Sequence, residues 1–213
     1  MEDRAAYGKT PLVLRRRQQI LAIARTLIVE KGIANTTMQE IAIAAEIGRK
    51  TLYRYFANME QIAQEIMASL INSPQSFSNT IVAEGKNGRE KLRNVCLAYC
   101  AYCVANPSLM LFYYEYDYHF RQPHDHGLHQ AWAQRPNIFI NLLEEGIADG
   151  SLELSREKVQ VIGVTLPNTI IASAQRLICR ETVYKLEYNY SLQDLHVVAE
   201  LLIDGIKPGE GKK

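Results

Sequence analysis

The sequence predicts an all-α protein built as a three-helix helix-turn-helix domain followed by a larger helical domain. Three observations predict it. Helical periodicity recurs along nearly the whole chain, and no segment alternates like a strand between hairpin turns. A polar stretch, "NSPQSFSNT" from Asn72, interrupts that periodicity near residue 72. Basic charge is concentrated before the break: residues 14–58 hold eight Lys and Arg against three acids, whereas residues 73–213 hold 14 against 16. A basic head on a near-neutral body fits a polyanion contact confined to the head.

The first helix is expected from about Leu14 to Lys31, with Ile20, Leu21, Ala24, Leu27 and Ile28 on its apolar face and Gly32 ending it. The second starts at Thr37. Glu40, three residues on, completes a capping box, in which the threonine hydroxyl and the carboxylate satisfy each other's backbone N–H. Met38, Ile41, Ala42 and Ala45 form its buried face. The third spans roughly Arg49–Tyr55, with Leu52 and Phe56 inward. Asn58 suits the N-cap of a fourth, whose face is Ile62, Ala63, Ile66, Met67 and Leu70. Longer helices follow at about 88–105, 107–120, 127–148, 155–180 and 191–206. Pro136 and Pro167 are expected to kink or divide two of them, and the residues from Gly205 read as a frayed tail.

Two helices joined by a tight turn containing Gly48 read as a helix-turn-helix. Packing uses Leu52, Phe56 and Ile47. That leaves Arg49, Lys50, Thr51, Tyr53 and Arg54 outward on a short helix of the size the DNA major groove admits. Lys and Arg approach phosphates, and the hydroxyls of Tyr53 and Tyr55 donate to them. A helix N-terminus also attracts phosphate, which gives Thr36 and Thr37 a second use. Arg15 is expected to contribute a sequence-independent contact.

The stretch "RRRQQILAIARTLIVEKGIANTTMQEIAIAAEIGRKTLYRYFANMEQIAQEIM" resembles the N-terminal domain of tetracycline-repressor-family transcription regulators. The resemblance covers about residues 15–70 and is most specific in "TTMQEIAIAA" and "TLYRYF". It implies a cytoplasmic bacterial homodimer, each subunit placing one helix-turn-helix on a palindromic operator. It also implies DNA contacts at Thr37, Arg49, Lys50, Thr51, Tyr53 and Tyr55, and a C-terminal domain that binds a small effector and dimerises. Lys50 stands where the family usually has glycine or serine, and Met59 where it often has a phosphate-binding lysine. On this reading residues 14–58 are the DNA-binding head, residues 59–72 a connecting helix, and residues 73–207 the effector and dimerisation domain.

The body carries no such motif. Cys96, Cys100 and Cys103 share a helical face, which suits either a soft metal, an oxidation sensor or a core of small apolar side chains, and the core is the favoured reading. His119, His124, His126 and His129 suit a metal site or a solvated loop, and the loop is favoured. No metal or cofactor is expected. "LMLFYYEYDYHF" is dense in aromatics. Tyr113, Tyr114, Tyr116 and Glu115, with Trp132 and Asn168, are candidate effector-binding residues, an aromatic wall with one acid suited to a lipophilic effector that is cationic or planar. Val161, Val164, Leu195, Val198, Leu201 and Leu202 form apolar rows on the last long helices, which in the family pair with their mates.

Apolar residues make up 47% of the 213, enough for a core, but no apolar run approaches the roughly 18 residues needed to span a bilayer. The N-terminus lacks an apolar signal segment, and four cysteines are too few for a disulfide scaffold, so a cytoplasmic site is expected. There is no nucleophile elbow, phosphate loop or dinucleotide fingerprint, and no enzyme is expected. The expectation is a ligand-responsive DNA-binding regulator, a repressor released from its operator by a small molecule. The alternatives are a regulator without an effector, or one that senses redox state or metal through the Cys or His cluster.

Overall fold

The computed structural model describes residues 10–72, 77, 81, 83–120 and 137–209. These residues hold ten α-helices: α1 Pro11–Lys31, α2 Met38–Ala44, α3 Arg49–Tyr55, α4 Met59–Asn72, α5 Gly88–Ala105, α6 Pro107–His119, α7 Ile138–Ala148, α8 Arg156–Cys179, α9 Glu181–Tyr188 and α10 His196–Asp204. A 3₁₀ turn, Leu192–Leu195, precedes α10.

The chain forms two compact units. One contains Met1–Ser73 together with Phe112–Ala133, and the other contains Pro74–Leu111 and Gln134–Lys213. In the first unit α1 packs on α2 and α4, and α2 on α3. Its core is Ile20, Ala24 and Ile28 of α1, Ile41 and Ala42 of α2, Leu52 and Phe56 at α3, and Ile62, Ala63 and Ile66 of α4. In the second, α5 packs against α7, α8 and α10. Small residues set these approaches: a Cβ on Gly88 would lie 2.2 Å from the backbone N of Gly146, so α5 meets α7 through a glycine pair.

Several expectations change. α1 starts three residues earlier, with Pro11 in its first turn, where the missing N–H costs nothing. α7 begins at Ile138 on an Asn137 N-cap, and Pro136 lies outside the described residues. α8 runs uninterrupted through Pro167, which removes the hydrogen bond to the Gly163 carbonyl, and the Asn137 side-chain amide donates to that carbonyl at 3.4 Å. The expected C-terminal helix is a 3₁₀ turn followed by α10, opened by a Ser191–Asp194 capping box, and α9 precedes it. The chain beyond Gly205 is not frayed through Gly209. Ile206 is buried, Gly209 N–H donates to Ser151 O, and Glu153 N–H donates to Lys207 O. α8 is also long enough, with a mean hydropathy of 1.2 over 18 residues, to match a membrane span by length and composition. No unbroken apolar run marks it in the sequence, because Thr165, Asn168, Ser173 and Gln175 interrupt the run. Its buried row, Val159, Gly163, Leu166, Ile170, Ala174 and Leu177, instead faces a protein core.

Candidate nucleic-acid interface

The helix-turn-helix begins at the capping box. Thr37 Oγ1 accepts from Glu40 N–H at 3.2 Å, and Glu40 Oε2 accepts from Thr37 N–H at 2.9 Å. Lys31 Nζ donates to the other Glu40 oxygen at 2.8 Å. That contact, with those from Thr37, holds the Glu40 carboxyl down to about 2. Thr37 spends its hydroxyl on this box. Thr36 is buried, and its hydroxyl donates to Gly32 O at 2.7 Å, so it fixes the α1–α2 turn and does not offer itself to a phosphate.

The turn between α2 and α3 gives its left-handed residue to Glu46, with φ 54°, while Gly48 is extended as the N-cap of α3. A Cβ on Gly48 would meet nothing closer than Thr51 Oγ1 at 3.9 Å. The turn therefore does not need the glycine's conformational freedom.

A seven-residue helix is too short to hold itself. Leu52 and Phe56 anchor α3, both with 0% exposure. Arg17 of α1 then closes its C-terminal end. It donates to the Tyr55 carbonyl, pairs with Glu65 of α4 through Nε–Oε2 at 2.9 Å, and lies 4.2 Å over the Phe56 ring. A cation on the last carbonyls of a helix satisfies orphan acceptors and complements the helix dipole. Arg16 does the same for α2, donating to Ala45 O at 2.9 Å. Two of the three arginines in the "RRR" triplet thus hold the two helices in place, a role the sequence pattern does not distinguish from a surface charge.

The remaining outward residues are the candidate contacts. Arg49, Lys50 and Arg54 are exposed, and Thr51, Tyr53 and Tyr55 are half-buried. Arg49 leans on Tyr53, its guanidinium 5.6 Å from the ring centroid and 3.5 Å from the hydroxyl. Arg15 and Lys50 are exposed and have no hydrogen bond or ion pair among the described residues. Arginines and a lysine on one exposed helix, held by apolar anchors on its other side, can neutralise phosphates and reach base edges.

The effector candidates divide between the units. On α6, Phe112 is buried, Tyr114 and Tyr118 are exposed and stacked at 6.3 Å, and Tyr113 and Tyr116 are half-buried. Glu115 is not a free acid awaiting a cation. Its carboxylate accepts the Ile33 N–H and lies over Gly32, where φ is 84° and any Cβ would come within 2.5 Å of it. Glu115 therefore caps the end of α1. Asn168 belongs to the other unit. Trp132 and the histidines at 124, 126 and 129 lie outside the described residues. Cys96, Cys100 and Cys103 are buried core residues, and burial pushes their thiols up to about 12, 11 and 12. Protonated at neutral pH, they are poor thiolates for metal or oxidant.

Among the described residues of the second unit, the exposed large apolar ones are Val161, Val164, Leu186, Tyr188, Val197 and Leu201, all on α8, α9 and α10. An open groove of about 630 Å³ runs among these helices, lined by Val164, Asn168, Ala172, Arg176 and Val198 among others. Leu195 does not belong to this surface. It has 0% exposure, and its carbonyl accepts the Cys100 thiol, so it is core. Val198 and Leu202 are half-buried at the edge.

Residues 20–66, which contain this interface, match the family of bacterial regulatory proteins of the tetR type. The chain is 28% identical over 137 residues to the transcriptional repressor KstR2 of Rhodococcus jostii, covering 64% of this chain and 67% of that protein. Its fold matches the ketosteroid transcriptional regulator KstR2 of Mycobacterium tuberculosis at 20% identity, with a TM-score of 0.59 over 93% of this chain and 96% of that one. It also matches FadR of Bacillus subtilis, solved with stearoyl-CoA, at 24% identity and a TM-score of 0.58 over 89% and 99%. The anchored, outward-basic α3 and these likenesses agree: residues 20–66 form a DNA-binding domain similar to that of tetR-family regulators, and the chain is a DNA-binding transcription regulator.

Proposed function

We propose that the protein is a homodimeric repressor of the cytoplasm, released from a palindromic operator by an apolar small molecule. The observation that carries the reading is α3, whose only fully buried contacts are Leu52 and the adjoining Phe56 and whose other side is exposed and basic. Residues 14–58 act as the DNA-binding head, α4 leads from it, and residues 73–207 bind effector and mate. Arg49, Lys50, Thr51, Tyr53, Arg54 and Tyr55 contact the operator, and Arg15 adds a phosphate contact. Thr37 contributes through the box that sets α2, and Thr36 is withdrawn from the set.

Val161, Val164 and Leu201, with Leu186 and Val197, are the dimer surface, and the groove holding Asn168 is part of it. Mating α8, α9 and α10 with their copies covers the exposed large apolar side chains described in that unit. The aromatic residues Tyr113, Tyr114 and Tyr116 remain the effector candidates. With Glu115 committed to α1, a cation is no longer favoured. A relative named for ketosteroids and a neighbour solved with stearoyl-CoA support a lipophilic effector.

The test is selection of bound duplexes from a random pool, followed by titration of the selected operator complex with stearoyl-CoA and with a ketosteroid. A palindrome bound by a dimer, and weakened by one of these, is the expected result. Recovery of no common sequence overturns the reading of α3. Operator affinity indifferent to both compounds removes the lipophilic assignment.

A further inference from the structure

We propose that Lys50 sets the operator sequence, its ammonium donating to O6 and N7 of one guanine in each half-site. The inference rests on the reading of α3 as the helix that enters the groove. Leu52 and Phe56 fix which side of α3 faces inward. At about 100° per residue, Arg54 lies about 180° and Lys50 about 140° from the centre of that buried side, whereas Tyr53 and Tyr55 flank it at about 80°. Lys50 and Arg54 therefore lead the outward face, one turn apart.

Their depths differ. The N-terminal part of a recognition helix meets the base edges. Lys50 is its second residue, and Arg54 lies about 6 Å further along the axis. Arg49 precedes Lys50 but is drawn back along the helix onto Tyr53. Gly48 adds no side chain in front, and the space around it is open. Lys50 is exposed and unpaired among the described residues. All three of its donors are available to a ligand.

The chemistry of the groove then selects the base. An ammonium only donates. Adenine pairs its N7 acceptor with an N6 donor, cytosine offers a donor, and thymine offers one acceptor beside a methyl group. Guanine alone offers two adjacent acceptors and no donor.

The experiment repeats the random-pool selection with wild type, Lys50→Ala and Lys50→Arg at one fixed salt concentration. The wild-type palindrome should carry a guanine at one position of each half-site. Lys50→Ala should lose preference at that position alone and bind the wild-type operator about 5- to 150-fold more weakly, with random-sequence affinity reduced far less. Lys50→Arg should restore the guanine. An unchanged sequence preference with a uniform loss across all duplexes would make Lys50 a phosphate contact and overturn the proposal, as would unchanged operator affinity. A wild-type pool without any palindrome would instead overturn the reading of α3 on which the proposal stands. The side chain is exposed, so unchanged thermal unfolding of Lys50→Ala is expected, and it separates lost recognition from lost fold.

Discussion

α3 and α9 are helices of nearly equal length with opposite solutions to the same problem. Neither is long enough to be stable alone. α3 drives Leu52 and Phe56 into the core and is locked from behind by Arg17, which frees its other side for charge. α9 has no buried residue, and its Leu186 and Tyr188 are 80% and 67% exposed. What holds α9 is local: Asn189 in the left-handed region, a Tyr190 N–H to Tyr184 carbonyl bond, and ring contacts among Tyr184, Tyr188 and Tyr190. An outward charge on an anchored helix calls for a polyanion, and an outward leucine on an unanchored helix calls for an apolar partner. On the proposed function, the two short helices mark the surface that meets DNA and the surface that meets the second copy of the chain.

The sharpest way to break the comparison is to remove an anchor. Phe56→Ala should cost about 3–5 kcal/mol of stability by opening a cavity in the head, and with it the Arg17 stack. Leu186→Ala should change protomer stability by less than about 0.5 kcal/mol, because its side chain is 80% exposed. Chemical denaturation of both variants measures the contrast. Arg17→Ala should come next, at about 1–3 kcal/mol, because the Tyr55 carbonyl loses a donor and Glu65 loses its ion-pair partner, keeping only the Gln61 amide, in a half-buried site. Val161→Glu with Leu201→Glu should leave each protomer folded but shift sedimentation from dimer to monomer, whereas the same charges at exposed positions of α3 should not. The smallest effect belongs to the capping box. Thr37→Ala should cost about 1 kcal/mol. The Glu40 carboxylate is held below its ordinary 4.5, so its contribution is complete above that pH. It is lost as pH falls toward about 2, which an acid titration of wild type against Thr37→Ala resolves.

The difference also explains what the sequence made legible. The head is legible almost element by element because its signals are local: a capping box four residues long, apolar spacing on α1, α2 and α4, and Leu52 with Phe56 one turn apart. The roles hidden in it depend on residues far along the chain. Arg17 reads as surface charge until Glu65 and the Tyr55 carbonyl are beside it, and Glu115 reads as a pocket acid until the Ile33 N–H, 82 positions away, is found on it. Leu195 fits an exposed apolar row by period alone, and only the packing of the 3₁₀ turn on α5 and α8 makes it core. α9 has no apolar stripe that buries, so periodicity gave it no signal. In the C-terminal tail, residues around Pro208 and Gly209 look disordered by composition, yet they are tied to Ser151 and Leu152 by backbone pairing that composition does not encode.

On the proposed function, a homodimer mated through its C-terminal unit places two identical heads, each presenting an anchored α3, on the two half-sites of one palindrome. The most direct measurement compares affinity for the selected palindrome with affinity for the same duplex carrying about 5 extra base pairs between the half-sites, half a helical turn. The account predicts that the insertion reduces affinity to that of a single half-site, because the second site rotates to the far face of the DNA. Equal affinity for the two duplexes would contradict it, since heads free to follow either spacing are not held as a pair.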